Sequence, residues 1–124
     1  MSPSGPSRGF GRPCRILNPA GFRKVYDNGV RVSGPLFAAF CLARSEPDAG
    51  PDSRLGLTVP KAVGKAVLRN RIKRRLREAF RLHRAEFSAP WDIVINPRRA
   101  VADVPFAQIE QALEKVIARC NSHS

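Results

Sequence analysis

Ten lysines and arginines stand between Lys61 and Arg84: Lys61, Lys65, Arg69, Arg71, Lys73, Arg74, Arg75, Arg77, Arg81 and Arg84, against one acid, Glu78. Ten minus one is +9, most of the +12 that 22 basic and 10 acidic residues give the 124-residue chain. A merely solvated helix face mixes Glu with Lys, because opposite charges four residues apart help a helix. Like charges at that spacing, such as Arg71 with Arg75 or Arg77 with Arg81, oppose it by a few tenths of a kcal/mol each. An external polyanion must offset that repulsion. Arginine outnumbers lysine in this run, and its planar, bidentate donors suit phosphates and base edges better than a lipid surface.

The side chains that could break a bond are poorly placed by comparison. Hydrolysis of a phosphodiester needs clustered carboxylates holding metals, or a paired acid and base. Asp27, Glu78, Glu86 and Asp92 are spread over different segments, and Asp48 and Asp52 lie in a Pro/Gly-rich loop. His83 has no evident partner in sequence, and His123 lies near the C-terminus. The three cysteines, Cys14, Cys41 and Cys120, are odd in number and widely spaced, which supports neither a disulfide framework nor a zinc site. Cys41 reads as core; Cys14 and Cys120 read as exposed. No catalytic residue and no metal ligand is expected.

The elements that must carry the cations follow from hydrophobic spacing. At about 100° per residue, Leu68, Ile72, Leu76, Ala79, Phe80 and Phe87 share an arc of about 120°, so a helix extends to about Phe87 with one face in a core and the cations on the other. That arc is needed for the core, which leaves little to insert into a membrane. Before it, Arg54–Val59 reads as a strand; after it, Trp91–Ile95 reads as another. The order is a β-α-β unit with parallel neighbours.

Upstream, Asn18 as cap, Pro19 in the first turn and Gly29 at the end bound a short helix containing Phe22, Val25 and Tyr26. Leu36–Ala43 is a nearly unbroken apolar run, read as a strand covered on both faces, with Arg31 and Val32 as a short edge strand beside it. Downstream, Asp103 is the expected cap of a helix in which Phe106, Ile109, Leu113, Val116 and Ile117 recur. These elements predict an α/β chain of the α+β sandwich type: a small four-stranded mixed sheet and three helices, in the order α-β-β-β-α-β-α.

With 43% hydrophobic residues, a chain this long supports one modest core. A single domain is expected over residues 15–120, with a flexible basic arm at 1–14, rich in Ser, Gly and Pro, and a disordered tail at 121–124. No stretch reaches the roughly 18 apolar residues that cross a bilayer, and the N-terminus lacks a signal-peptide core. A cytoplasmic protein is expected.

Within the cationic segment stands KAVGKAVLRNRIKRRLREAFR, Lys61 to Arg81, after the strand RLGLTV. This resembles the signature of the bacterial ribonuclease P protein subunit: Arg69-Asn70-Arg71, then Ile72-Lys73-Arg74, then the Arg-Glu-Ala-Phe run from Arg77 to Phe80. The likeness extends from about Arg15 to Arg119, through a Phe-x-x-Val-aromatic segment before Gly29, the Gly-Leu-x-Val strand, the Asp-Ile-Val strand and the closing helix. Ala62 departs from it where a second lysine commonly follows Lys61, and so does Pro60, where a small hydroxyl residue is frequent.

The resemblance implies a protein that joins a catalytic RNA subunit removing 5′ leaders from precursor tRNAs, to give the mature 5′ end, and does not itself cut RNA. It assigns contact with that RNA to Lys61, Lys65, Arg69, Asn70, Arg71, Lys73, Arg74 and Arg77. It assigns the single-stranded leader to a cleft containing Phe22, Tyr26, Ala38 and Phe40; on spacing alone, Phe22 and Tyr26 read as core residues. Mg²⁺ is expected through the RNA, with no cofactor held tightly by the protein and no protein partner required. Two readings compete with this one: a general basic RNA-binding module without a leader cleft, and an independent protein endonuclease.

Overall fold

A computed structural model describes residues 19–44 and 53–122, with the side chains of residues 19 and 20 left out. The anticipated N-terminal arm, the Asn18 cap, Cys14, His123 and the loop with Asp48 and Asp52 lie outside these residues.

Among the described residues, three α-helices and four strands follow one another as α1 (Pro19–Asn28), β1 (Val30–Ser33), β2 (Phe37–Ala43), β3 (Arg54–Leu57), α2 (Ala66–His83), β4 (Trp91–Pro97) and α3 (Phe106–Ser122). The strands form one mixed sheet in the order β1-β2-β4-β3. β1 and β2 are antiparallel, with Arg31 opposite Phe40, and β2 and β4 are antiparallel, with Phe40 opposite Val94. β3 and β4 are parallel, as a β-α-β unit requires.

Gly29 makes the step from α1 to β1 possible. Its amide bonds the Val25 carbonyl at 2.8 Å, and a Cβ there would stand 2.6 Å from that carbonyl oxygen and 2.9 Å from that of Cys41. Only glycine permits this approach.

The main core fills one face of the sheet. Phe37, Ala39 and Cys41 of β2 and Trp91, Ile93 and Ile95 of β4 meet Ile72, Leu76, Ala79 and Phe80 of α2 and Ile109, Leu113, Val116 and Ile117 of α3. The other face is covered by α1, where Val25 and Val94 are buried outside that cluster.

Several boundaries and environments differ from the sequence reading. β2 is sealed on one face only: Phe37, Ala39 and Cys41 are buried, whereas Ala38, Phe40 and Leu42 are half-buried, because the ten-residue α1 is too short to cover the sheet. β3 ends at Leu57, short of Val59. The cationic segment is not one helix to Phe87: a 3₁₀ turn, Lys61–Val63, precedes α2 and another, Arg84–Glu86, follows it. Asp103 caps no helix; it closes a 3₁₀ turn, Arg99–Ala102, and α3 starts three residues later. Pro105 explains the delay, since the residue before a proline is driven out of helical conformation. Residues 121 and 122, placed in a disordered tail, belong to α3, and the Asn121 side chain bonds Ser88 and the Glu86 carbonyl. Cys120 is buried rather than exposed.

Candidate nucleic-acid interface

α2 lies against α3 and the 3₁₀ turn Arg99–Ala102, with Ile72, Leu76, Ala79, Phe80 and His83 inward. Helical phase then sorts its polar residues by direction. Asn70, Arg74 and Arg77 fall within an arc of about 60° on the side opposite the core. All three are exposed, and none of their side chains has a hydrogen bond or ion pair among the described residues. Lys61 and Lys65 are exposed at the entrance of the helix, and the half-buried Lys73 flanks the ridge. Together these residues present a cationic surface with one amide, Asn70, that both donates and accepts.

Other cations of the run are anchored to the protein. Arg69 Nε donates to the Gly64 carbonyl at 3.1 Å. Arg71 Nε donates to the Ala102 carbonyl at 2.9 Å. Arg75 donates from Nη1 to Val101 and from Nη2 to Val104, both at 2.7 Å. These bonds tie the 3₁₀ turn Arg99–Ala102 to α2, and that turn carries the exposed Arg98 and Arg99 at its start. The charge repulsion predicted along α2 is thus eased in part by backbone carbonyls, which act as fixed dipoles for Arg71 and Arg75.

The opposite face of the sheet holds the aromatic group. Tyr26 of α1 meets Phe40 of β2 edge to face, with ring centroids 4.8 Å apart and planes at 72°. The Arg31 guanidinium lies 5.8 Å from the Phe40 centroid, within cation–π range. The Tyr26 hydroxyl donates to Asn96 Oδ1 at 2.8 Å and lies 3.2 Å from Thr58 Oγ1. Phe22, one helical turn before Tyr26, and Ala38, beside Phe40 on the same face of β2, are half-buried. All four residues assigned to the leader therefore share one face. The eight assigned to the RNA subunit lie on α2 and its entrance, on the other side of the sheet.

Several of the acids face basic side chains. Arg54 grips Asp92 with two bonds, Nε to Oδ1 at 2.8 Å and Nη2 to Oδ2 at 2.9 Å, and Arg81 grips Glu78 similarly at 3.1 and 2.7 Å. Arginine's bond to Glu78 holds that carboxyl below its ordinary range. His83, for which sequence offered no partner, has several: Nδ1 lies 2.6 Å from Glu86 and 3.9 Å from Glu114, and Nε2 lies 2.9 Å from Glu110. The Glu110 bond, and secondarily Glu86, raise the imidazole pKa against the opposing effect of burial. His83, Glu86 and Glu114 place possible ligand atoms within 4.8 Å of one another. With a carboxylate at each ring nitrogen, the arrangement is an ion-pair clamp between the end of α2 and α3.

Residues 10–121 match the family described as Ribonuclease P. The chain belongs to the ribonuclease P protein family. It is 40% identical over 114 residues to the ribonuclease P protein component of Stutzerimonas stutzeri, covering 91% of this chain and 84% of that protein. It is 37% identical over 103 residues to the component from Staphylococcus aureus, covering 83% and 86%. Among solved structures, the RNase P protein of S. aureus superposes with a TM-score of 0.72 at 32% identity, covering 90% of this chain and 98% of the other. The protein from Thermotoga maritima gives 0.73 at 27% identity, covering 85% and 96%.

The chain is accordingly a protein subunit of ribonuclease P, the tRNA-processing ribonucleoprotein, and is not itself the catalyst. No described helix is long and apolar enough to cross a membrane. Within this family frame, the geometry adds residues that the sequence reading passed over: Arg98 and Arg99 beside α2, and Arg31, Thr58 and Asn96 beside the aromatic pair. The pairing of β1 with β2 could have pointed to Arg31, which stands opposite Phe40. Nothing local marked Asn96 or Thr58, which reach Tyr26 only through the fold.

Proposed function

We propose that the two faces divide the work of the subunit. The α2 ridge, with Lys61, Lys65, Asn70, Lys73, Arg74 and Arg77, holds the catalytic RNA, and Arg69 and Arg71 support it while bonded to the protein. The aromatic face, with Phe22, Tyr26, Ala38 and Phe40, holds the single-stranded 5′ leader of the precursor tRNA. The observation that carries this reading is the half-buried Tyr26–Phe40 pair on the face away from α2, with a guanidinium beside it. A stacked base gains roughly 1 to 3 kcal/mol on such a ring, and stacking accepts any sequence.

Bond cleavage is supplied by the RNA, whose phosphates hold Mg²⁺; the protein screens charge and holds substrate. The acids described here support this division, because Asp92, Glu78, Glu86 and Glu110 face arginine or histidine partners. The cytoplasm is the compartment in which we place the particle.

The test is a cleavage assay with and without a matching catalytic RNA, joined to binding of leader-bearing precursor and mature tRNA by the assembled particle. Cleavage only with RNA present, and loss of leader-dependent affinity in Tyr26→Ala and Phe40→Ala, support the reading. Cleavage by the protein alone overturns it in favour of an independent endonuclease. Equal loss for precursor and mature tRNA points instead to a general RNA-binding module.

A further inference from the structure

Asn96 is half-buried on β4, opposite Ala38 of β2. Its Oδ1 accepts the Tyr26 hydroxyl proton at 2.8 Å. A phenol has one proton to give, so the hydroxyl of Thr58, 3.2 Å away, is the donor to the phenol oxygen. The chain of bonds runs Thr58 to Tyr26 to Asn96 and fixes the amide: Oδ1 is turned to Tyr26, and the two protons of Nδ2 point elsewhere. Nδ2 has no partner among the described residues, and it is not one of the buried atoms left without a bond. It is therefore a donor open to the cleft, held in place by the same tyrosine that pairs with Phe40.

We propose that Asn96 is a nucleotide-contacting residue of this cleft: Nδ2 donates to an acceptor atom on a leader nucleotide packed against Tyr26 and Phe40. Tyr26 and Thr58 set the amide's direction. The inference rests on the cleft being the leader site. With Oδ1 occupied, the position offers donors only, so it suits a phosphate oxygen, a base carbonyl or an unprotonated ring nitrogen, and disfavours an amino group. Arg31 stands two strands away, about 10 Å across the sheet. A strand of RNA crossing the cleft meets a cation at one end and a neutral, oriented donor at the other.

The experiment uses the assembled particle and compares affinity for a leader-bearing precursor with that for mature tRNA. Asn96→Ala should lose about two- to tenfold for the precursor alone, the range of one hydrogen bond. Asn96→Asp still accepts the Tyr26 proton but offers no donor, and should lose at least as much. Tyr26→Phe should lose less than Asn96→Ala, and adding it to Asn96→Ala should cost nothing further, as coupled positions require.

Precursors with each leader base changed in turn separate the acceptors. A loss tied to one base places the acceptor on that base, and a loss equal for all leaders places it on the backbone; either supports the proposal. Wild-type discrimination in both Asn96→Ala and Asn96→Asp, while Phe40→Ala weakens leader binding, overturns it and leaves the cleft standing. If Phe40→Ala and Tyr26→Ala also leave discrimination unchanged, the leader reading itself fails and takes the proposal with it. Thermal melting of each variant distinguishes misfolding from the absence of the hydrogen bond, and if Asn96→Ala unfolds, Asn96→Asp decides alone.

Discussion

Arg75 on α2 donates from Nη1 to the carbonyl of the buried Val101 at 2.7 Å, across 26 residues of chain. Its Nη2 satisfies Val104 at the same distance. One guanidinium thus closes the 3₁₀ turn against the helix, although sequence presents it as one more cation in a run. Arg75→Ala should lower stability by about 2 to 3 kcal/mol, because charged donors to carbonyls are strong and the carbonyls would be left short of partners. Arg74→Ala, one residue away but exposed and unbonded, should change stability by less than about 0.5 kcal/mol. Urea unfolding of the two variants checks the contrast; equal effects would sink it.

The exposed ridge should be read out by salt. Removing a cation that neutralises one phosphate lowers the slope of log affinity against log salt by roughly 0.7 to 0.9. Arg74→Ala and Arg77→Ala should each weaken binding to the catalytic RNA and flatten the slope by about that amount. Asn70→Ala should weaken binding with the slope unchanged, since it carries no charge. Titrations over a range of potassium chloride measure both quantities, and an unaltered slope in the arginine variants would argue against phosphate binding there.

His83 ties stability to pH through the carboxylates around it. Glu110 foremost, then Glu86, favour the imidazolium and raise its pKa in the folded chain, while burial opposes them. For a raised basic group, the stabilisation is complete below the unfolded value, about 6.5, and is lost as pH climbs through the folded value. Wild-type protein should therefore lose more stability than His83→Gln over the interval that begins at about pH 6.5 and runs upward. Parallel slopes for the two proteins in denaturant melts across that interval would refute the clamp.

Cys41 and Cys120 should be silent in the native protein. The neighbouring Cys120 thiol, with burial added, pushes the Cys41 thiol well above its ordinary range, and both residues are buried. The thiolate is the reactive form, so both should be modified by a thiol reagent only after denaturant is added. Mass mapping of the modified peptides identifies them, and rapid native labelling at either site would contradict the packing described here.

The primary sequence was enough for most of the architecture, since local spacing carries the signal: apolar residues every three or four positions set the buried side of α2 and α3, and the β-α-β order set the parallel pair β3 and β4. The charge of the α2 segment and its resemblance to a known signature were also legible there. What local pattern could not hold is which cations are free. Arg71 and Arg75 look like Arg74 and Arg77 in sequence, and only the docking of the turn Arg99–Ala102 makes the first two structural donors. The same limit hid the partners of His83, which come from α3, and the Tyr26–Asn96 bond, which spans 70 residues. Periodicity says which side of an element is buried; the direction and saturation of a hydrogen bond depend on where distant chain segments meet, and tertiary packing alone decided that.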